Sequence, residues 1–169
     1  MNHITKLAIG LGLMLGPQTA QAQDLSFDIG STLACLDEAL GHAERNDCIG
    51  ASAEYCMEIN PAGYTTIGMS GCADLELTYW DARLNDSYQN LRRAEKADDD
   101  LGRDLPGYVN KANALRDMQR AWIGWRDATC DYERAQWGGG TGGGPATVAC
   151  LMRLTGEQAL YLETVRMEQ

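Results

Sequence analysis

Apolar residues recur along most of this chain in steps of three and four. Over 66–98 they fall at Leu77, Trp80, Leu84, Tyr88 and Leu91. Over 106–137 they fall at Leu115, Met118, Trp122 and Trp125, and Thr129 and Tyr132 continue the line. This spacing draws one stripe along a helix that faces a partner. A third stripe runs through Val148, Leu151, Thr155, Gln158, Leu162 and Val165, and its polar members make it weaker. β-Branched residues are few and no strand-length stretch alternates strictly, so no strands are predicted. Helix ends are marked by Asp104 as a cap with Pro106 in the following first turn, by Gly138 at a C-terminus, and by first-turn Pro145. Upstream, 31–40 and 43–58 read as two shorter helices broken near Gly41, and Asn60-Pro61-Ala62-Gly63 is a turn. The pattern predicts an all-α fold: a small antiparallel helical hairpin or bundle. It has two long helices, a C-terminal helix and two short N-terminal helices.

The first 22 residues have a different character. Lys6 precedes an apolar run, Gly16-Pro17 breaks it, and Ala20-Gln21-Ala22 places small residues before a cut at Gln23. This is the pattern of a secretory signal peptide, too short and wrongly flanked for a membrane span. Residues 23–169 then form a single domain, expected in the periplasm or secreted. No cysteine follows the small residues, so no lipid anchor and no stable membrane anchor is expected.

Charge and cysteines narrow the picture further. Without Lys6 the 14 basic residues become 13 against 24 acidic ones, a net charge of −11. Such a chain repels nucleic acid and anionic membranes and attracts cationic partners. All six cysteines lie in the exported part and read as three disulfides. The expected pairs join sequence neighbours. Cys130 and Cys150 flank the glycine-rich turn at similar heights on two antiparallel helices. Cys35–Cys48 ties the short helices together, and Cys56–Cys72 ties them to the first long helix. No Cys-x-x-Cys is present and His42 is the only histidine left after cleavage, which disfavours a metal or thiol-redox site.

The richest segments are 80–85 and 120–127. Trp80, Leu84, Trp122 and Trp125 read as a structural seam between helices, with Arg126 and Asp127 bordering it as ion-pair candidates. Catalytic patterns are missing: there is no Gly-x-Ser-x-Gly elbow, and one histidine cannot serve both a triad and a metal. Acidic pairs for glycan hydrolysis are indistinguishable among 24 acidic residues. The run 98–104 lacks the ligand order of a calcium loop and reads as a solvated turn. Neither a cofactor nor enzymatic activity is expected. Gly138, Gly139, Gly140, Thr141, Gly142, Gly143 and Gly144 exceed what a helix connection needs. With Trp137 beside them they are the candidate partner-binding surface, either disordered or presenting backbone to a partner.

Cys72, Leu84-Asn85 with Tyr88, 119–130 (Gln-Arg-Ala-Trp-Ile-Gly-Trp-Arg-Asp-Ala-Thr-Cys), the glycine-rich turn and Cys150-Leu151-Met152-Arg153-Leu154-Thr155 stand in a recognisable order. In this the chain resembles the LprI-type family, named for a bacterial surface protein that inhibits lysozyme. The resemblance covers about 56–169 and leaves 23–55, with Cys35 and Cys48, as an N-terminal extension. It implies an exported helical domain and, for some members, lysozyme inhibition. It does not carry over inhibitory residues, and the namesake's lipid anchor has no counterpart here. The function expected is an exported binder or inhibitor of cationic, lysozyme-type muramidases. The alternative is an envelope interaction module with a bacterial cell-wall partner.

Overall fold

The computed structural model describes residues 24–167; the predicted signal segment and its cleavage point lie outside them. The described residues form six helices: α1 (Gly30–Glu38), α2 (His42–Asp47), α3 (Ala51–Ile59), α4 (Thr66–Gly102), α5 (Lys111–Ala135) and α6 (Gly143–Met167). The last three run up, down and up. Asp99 of α4 meets Ala112 of α5, Gln119 of α5 meets Gln158 of α6, and Arg83 of α4 meets Glu163 of α6. At 37 residues α4 is about 55 Å long at 1.5 Å per residue, the spine of the molecule. Thr65 caps it by accepting from the Gly68 amide at 3.1 Å.

The weakest predicted stripe lies on the most deeply buried helix. On α6, Met152, Leu154, Thr155, Gly156, Gln158, Ala159, Leu160 and Leu162 are all buried, because α4, α5 and α2 pack around it. A helix apolar on most of its circumference shows little directional pattern. With Trp80, Leu84 and Leu91 of α4, Met152, Ala159, Leu160 and Leu162 belong to the main core, and Leu154 packs around the Cys130–Cys150 disulfide. Gly156 is required by packing, since a Cβ there would lie 2.8 Å from Cδ1 of Ile49.

Two predicted boundaries are corrected. The stretch 43–58 is two helices, because Gly50 turns the chain at φ +103° and donates its amide to Glu76 Oε1 at 2.8 Å. The second long helix starts at Lys111, capped by Asn110, and not near Asp104. Pro106-Gly107 instead occupies the centre of a turn closed by Tyr108 N–H to Leu105 C=O at 3.2 Å, with Gly107 at φ +77°. All three disulfides join the pairs expected from sequence proximity: Cys35–Cys48, Cys56–Cys72 and Cys130–Cys150.

The N-terminal helices are held by a buried carboxylate. Glu76 of α4 sits at the N-terminus of α3 and accepts from the Gly50 and Ala53 amides at 2.8 and 2.7 Å. Thr32 Oγ1 and Trp80 Nε1 also donate to it, each at 2.9 Å. Thr32 and Ser52 exchange two further bonds, so that α1, α3 and α4 close one polar network. A carboxylate at a helix N-terminus is stabilised by the amides and the dipole together.

Candidate functional site

Helix α5 and the turn after it carry most of the residues singled out from sequence, and the structure separates them into two groups. Trp80 and Leu84 of α4 are buried as the seam requires. Trp122 is partly buried against the core, with the Arg126 guanidinium 5.1 Å from its ring centre. Trp125 is corrected: it is 54% exposed and does not belong to the seam. The face of α5 turned inward runs through Leu115, Gln119, Trp122, Arg126, Cys130 and Glu133. Beside the core packing of Leu115, Met118 and Trp122, its contacts with α6 include polar ones. Gln158 Nε2 donates to Gln119 Oε1 at 3.0 Å, Arg153 pairs with Glu133 at 2.9 Å, and Arg126 reaches Thr155 Oγ1 at 3.4 Å. The Arg126–Asp127 pair, 2.7 Å, lies within α5 and does not bridge helices.

Polar inward positions leave an aromatic line outside. Trp125 and Tyr132 lie seven residues apart on one side of α5, and Tyr132 is 67% exposed. Trp137, 53% exposed, follows in the turn. The glycine segment beside it is an ordered succession of turns. Gly138 and Gly139 take φ of +55° and +85°, and the Gly140 amide donates to Trp137 C=O at 2.8 Å. A Cβ at Gly142 would lie 2.2 Å from the Trp137 ring, so that glycine is where the indole rests. Gly143 and Gly144 belong to the first turn of α6. Thr141 is exposed at the tip. Most of these glycines therefore have local reasons, and Gly138, Gly139 and Gly140 are exposed beside Trp137.

The residues missed from sequence are the charged ones that hold the helices together. Arg83 forks onto Glu163 at 2.7 and 3.0 Å, Arg45 of α2 adds a third bond at 2.8 Å, and the Tyr79 hydroxyl accepts from Arg83 at 2.6 Å. Burial alone pushes the Glu163 carboxyl up, but the two guanidinium groups outweigh it and hold the group below its ordinary range. Beside this cluster a groove of about 580 Å³ is lined by Tyr79, Arg83, Asp86, Asn90, Glu163 and Met167. Glu163 is occupied by its arginines and Glu76 by its four donors. Among the described residues no group of three His, Cys, Asp or Glu side chains is arranged to hold a metal ion, and no helix is long and apolar enough to cross a membrane.

These features define a small, disulfide-stapled helical protein whose polar groups hold its own framework and which turns Trp125, Tyr132 and Trp137 outward. The chain belongs to the lysozyme inhibitor LprI family, whose sequence model matches residues 56–162. That span runs from within α3 into α6 and contains two of the three disulfides, leaving α1, α2 and Cys35–Cys48 outside. Among similar proteins, an uncharacterized 17.7 kDa protein from the puhA 5′ region of Rhodobacter capsulatus is 30% identical over 138 residues, covering 78% of this chain and 82% of that protein. An uncharacterized protein of Rhizobium meliloti (strain 1021) is 34% identical over 132 residues, covering 78% and 86%. No solved structure matches the chain.

Proposed function

We propose that this protein is exported to the periplasm or beyond, and that it binds and inhibits a cationic, lysozyme-type muramidase without catalysing a reaction itself. The family membership carries this reading. Two features support it. A net charge of −11 after loss of Lys6 favours encounter with an electropositive enzyme, and tryptophan and tyrosine on an exposed surface are the side chains that dominate protein interfaces. The contact surface is Trp125, Tyr132 and Trp137 with Thr141 at the turn. Gly138, Gly139, Gly140 and Gly142 shape that turn, and Gly143 and Gly144 start the helix behind it. Residues 1–22 act as the cleaved signal, and 23–169 fold as one domain.

Titration calorimetry of the mature, oxidised protein against lysozymes of several classes tests the proposal. Trp125→Ala/Trp137→Ala is expected to weaken binding by about tenfold or more while leaving the helical circular dichroism intact. Absence of binding by the unmodified protein at micromolar concentration would remove the reading. A bacterial cell-wall enzyme or assembly would then be the partner to seek.

A further inference from the structure

On α4, Tyr79, Arg83, Asp86 and Asn90 recur at steps of three and four, with Ser87 beside them, so they share one face of the helix. Glu163, Arg166 and Met167 share a face on the last described turn of α6. Together they line the groove of about 580 Å³ beside the Arg83–Glu163–Arg45 cluster. That volume lies within the range of small-molecule sites.

The groove holds polar capacity that the fold does not use. Glu163 is met by two guanidinium groups, so that cluster carries one surplus positive charge. Ser87 is only 8% exposed, yet its hydroxyl has a single contact, 3.4 Å to Glu163 Oε1, longer than an ordinary O–H···O bond. Asn90 spends its carbonyl oxygen on Arg93 and keeps its amide N–H groups. Asp86 on α4 and Arg166 on α6 have no hydrogen-bond or ion-pair partner among the described residues, and they do not pair with each other. A single exposed charge is ordinary on a protein surface. Two of opposite sign, one from each helix and beside a buried hydroxyl with capacity to spare, suit a ligand that carries both signs.

Donors outnumber acceptors in this groove, since Arg166, Asn90 and Ser87 all offer hydrogens, and that suits a carboxylate. A doubly charged phosphate is disfavoured, because Asp86 and Glu163 line the same groove and the whole chain is acidic. Asp86 instead suits an N–H or ammonium group close to that carboxylate. We propose that the groove binds the C-terminal end of a short peptide. Arg166, Asn90 and Ser87 hold the carboxylate, Asp86 accepts from an N–H group, and a small side chain rests against Ala82 and Met167. The site uses neither α5 nor the turn after it, and it stands independently of the muramidase reading. For an exported protein such ends have two sources: protein fragments built of L-residues, and cell-wall stem peptides ending in D-alanine.

The test is titration calorimetry of the mature, oxidised protein with tri-L-alanine and with diacetyl-L-lysyl-D-alanyl-D-alanine, each beside its C-terminal amide. At least one free acid is expected to bind with a dissociation constant below about 1 mM, and its amide about tenfold or more weakly. Arg166→Ala and Asp86→Asn replace exposed, unpaired side chains, so the melting temperature is expected to stay the same. Arg166→Ala should weaken binding of the acid by about tenfold, and Asp86→Asn should weaken it as well. Tighter binding of the D-alanine peptide assigns the groove to cell-wall ends, and tighter binding of tri-L-alanine assigns it to protein fragments. Equal affinities assign it to peptide ends from either source. Neither acid binding below about 1 mM, an amide that binds as well as its acid, or a variant that binds undiminished would overturn the proposal, whatever the lysozyme titrations show.

Discussion

At Glu76 a carboxylate with no solvent exposure is matched by four donors: the Thr32 hydroxyl of α1, the Gly50 and Ala53 amides at the start of α3, and the Trp80 indole of α4. Glu76→Gln turns one acceptor oxygen into an amide group that must face a donor. The expected cost is about 1–3 kcal/mol by chemical denaturation. Trp80 is fully buried and bonded to Glu76, so Trp80→Ala should cost about 3–5 kcal/mol. Trp122 is only partly buried, and Trp122→Ala should cost less, about 1–3 kcal/mol. Titration adds a second residue-level test. Burial raises the Asp99 carboxyl, but the Tyr108 hydroxyl and the Ala112 and Lys111 amides outweigh it, so Asp99, like Glu163, lies below its ordinary value in the folded protein. Their stabilisation is complete above the ordinary values of 3.8 and 4.5 and is lost as pH falls through the folded ones. Tyr108 behaves oppositely. The bond to Asp99 raises it from 10.0 to about 12, so its contribution is complete below 10.0 and lost as pH rises through about 12. Melting temperature should therefore fall in acid, and Glu163→Gln should lower it at neutral pH while flattening the acid limb. An unchanged acid limb would contradict the role given to the Arg83–Glu163–Arg45 cluster.

Between elements, the N-terminal helices are joined to the bundle by Glu76, by Arg45–Glu163 and by Cys56–Cys72, while Cys35–Cys48 closes only their own loop. Removing that last disulfide as Cys35→Ser/Cys48→Ser should cost about 3 kcal/mol in the chain-entropy model. Hydrogen exchange should quicken on α1 and α2 and stay slow on α4 and α6; uniform quickening would mean that the extension is integral to the bundle. The same elements show what could be read in advance. The helix count in the family-matched part, the disulfide pairs and the Trp80–Leu84 stripe were legible, because apolar periodicity and cysteine spacing are local signals. On α5 the stripe holds through Leu115, Met118 and Trp122, whereas Trp125 and Tyr132 are exposed and Gln119, Arg126 and Glu133, which an apolar pattern cannot count, face α6. On α6, Thr155 and Gln158, the polar members that weaken the predicted stripe, are themselves buried. Glu76 and Glu163 were invisible because, among 24 acidic residues, burial alone distinguishes them. The sequence places Pro106 in the first turn of a helix capped by Asp104, whereas with Gly107 it forms the centre of a turn.

For the molecule as a whole, one framework carries the aromatic line along the end of α5 on a strongly acidic body. Long-range attraction brings a cationic partner close and is screened over about 8 Å at physiological ionic strength, whereas buried aromatic and aliphatic contacts persist in salt. Association should therefore slow as salt rises, with dissociation changing much less. The most direct measurement is the binding kinetics of the mature, oxidised protein with a cationic lysozyme over a range of salt concentrations, read alongside inhibition of cell-wall hydrolysis. The account predicts saturable binding, an association rate that falls with salt, and loss of hydrolysis in proportion to the complex formed. Binding absent across lysozyme classes, or present without any loss of hydrolysis, would contradict it.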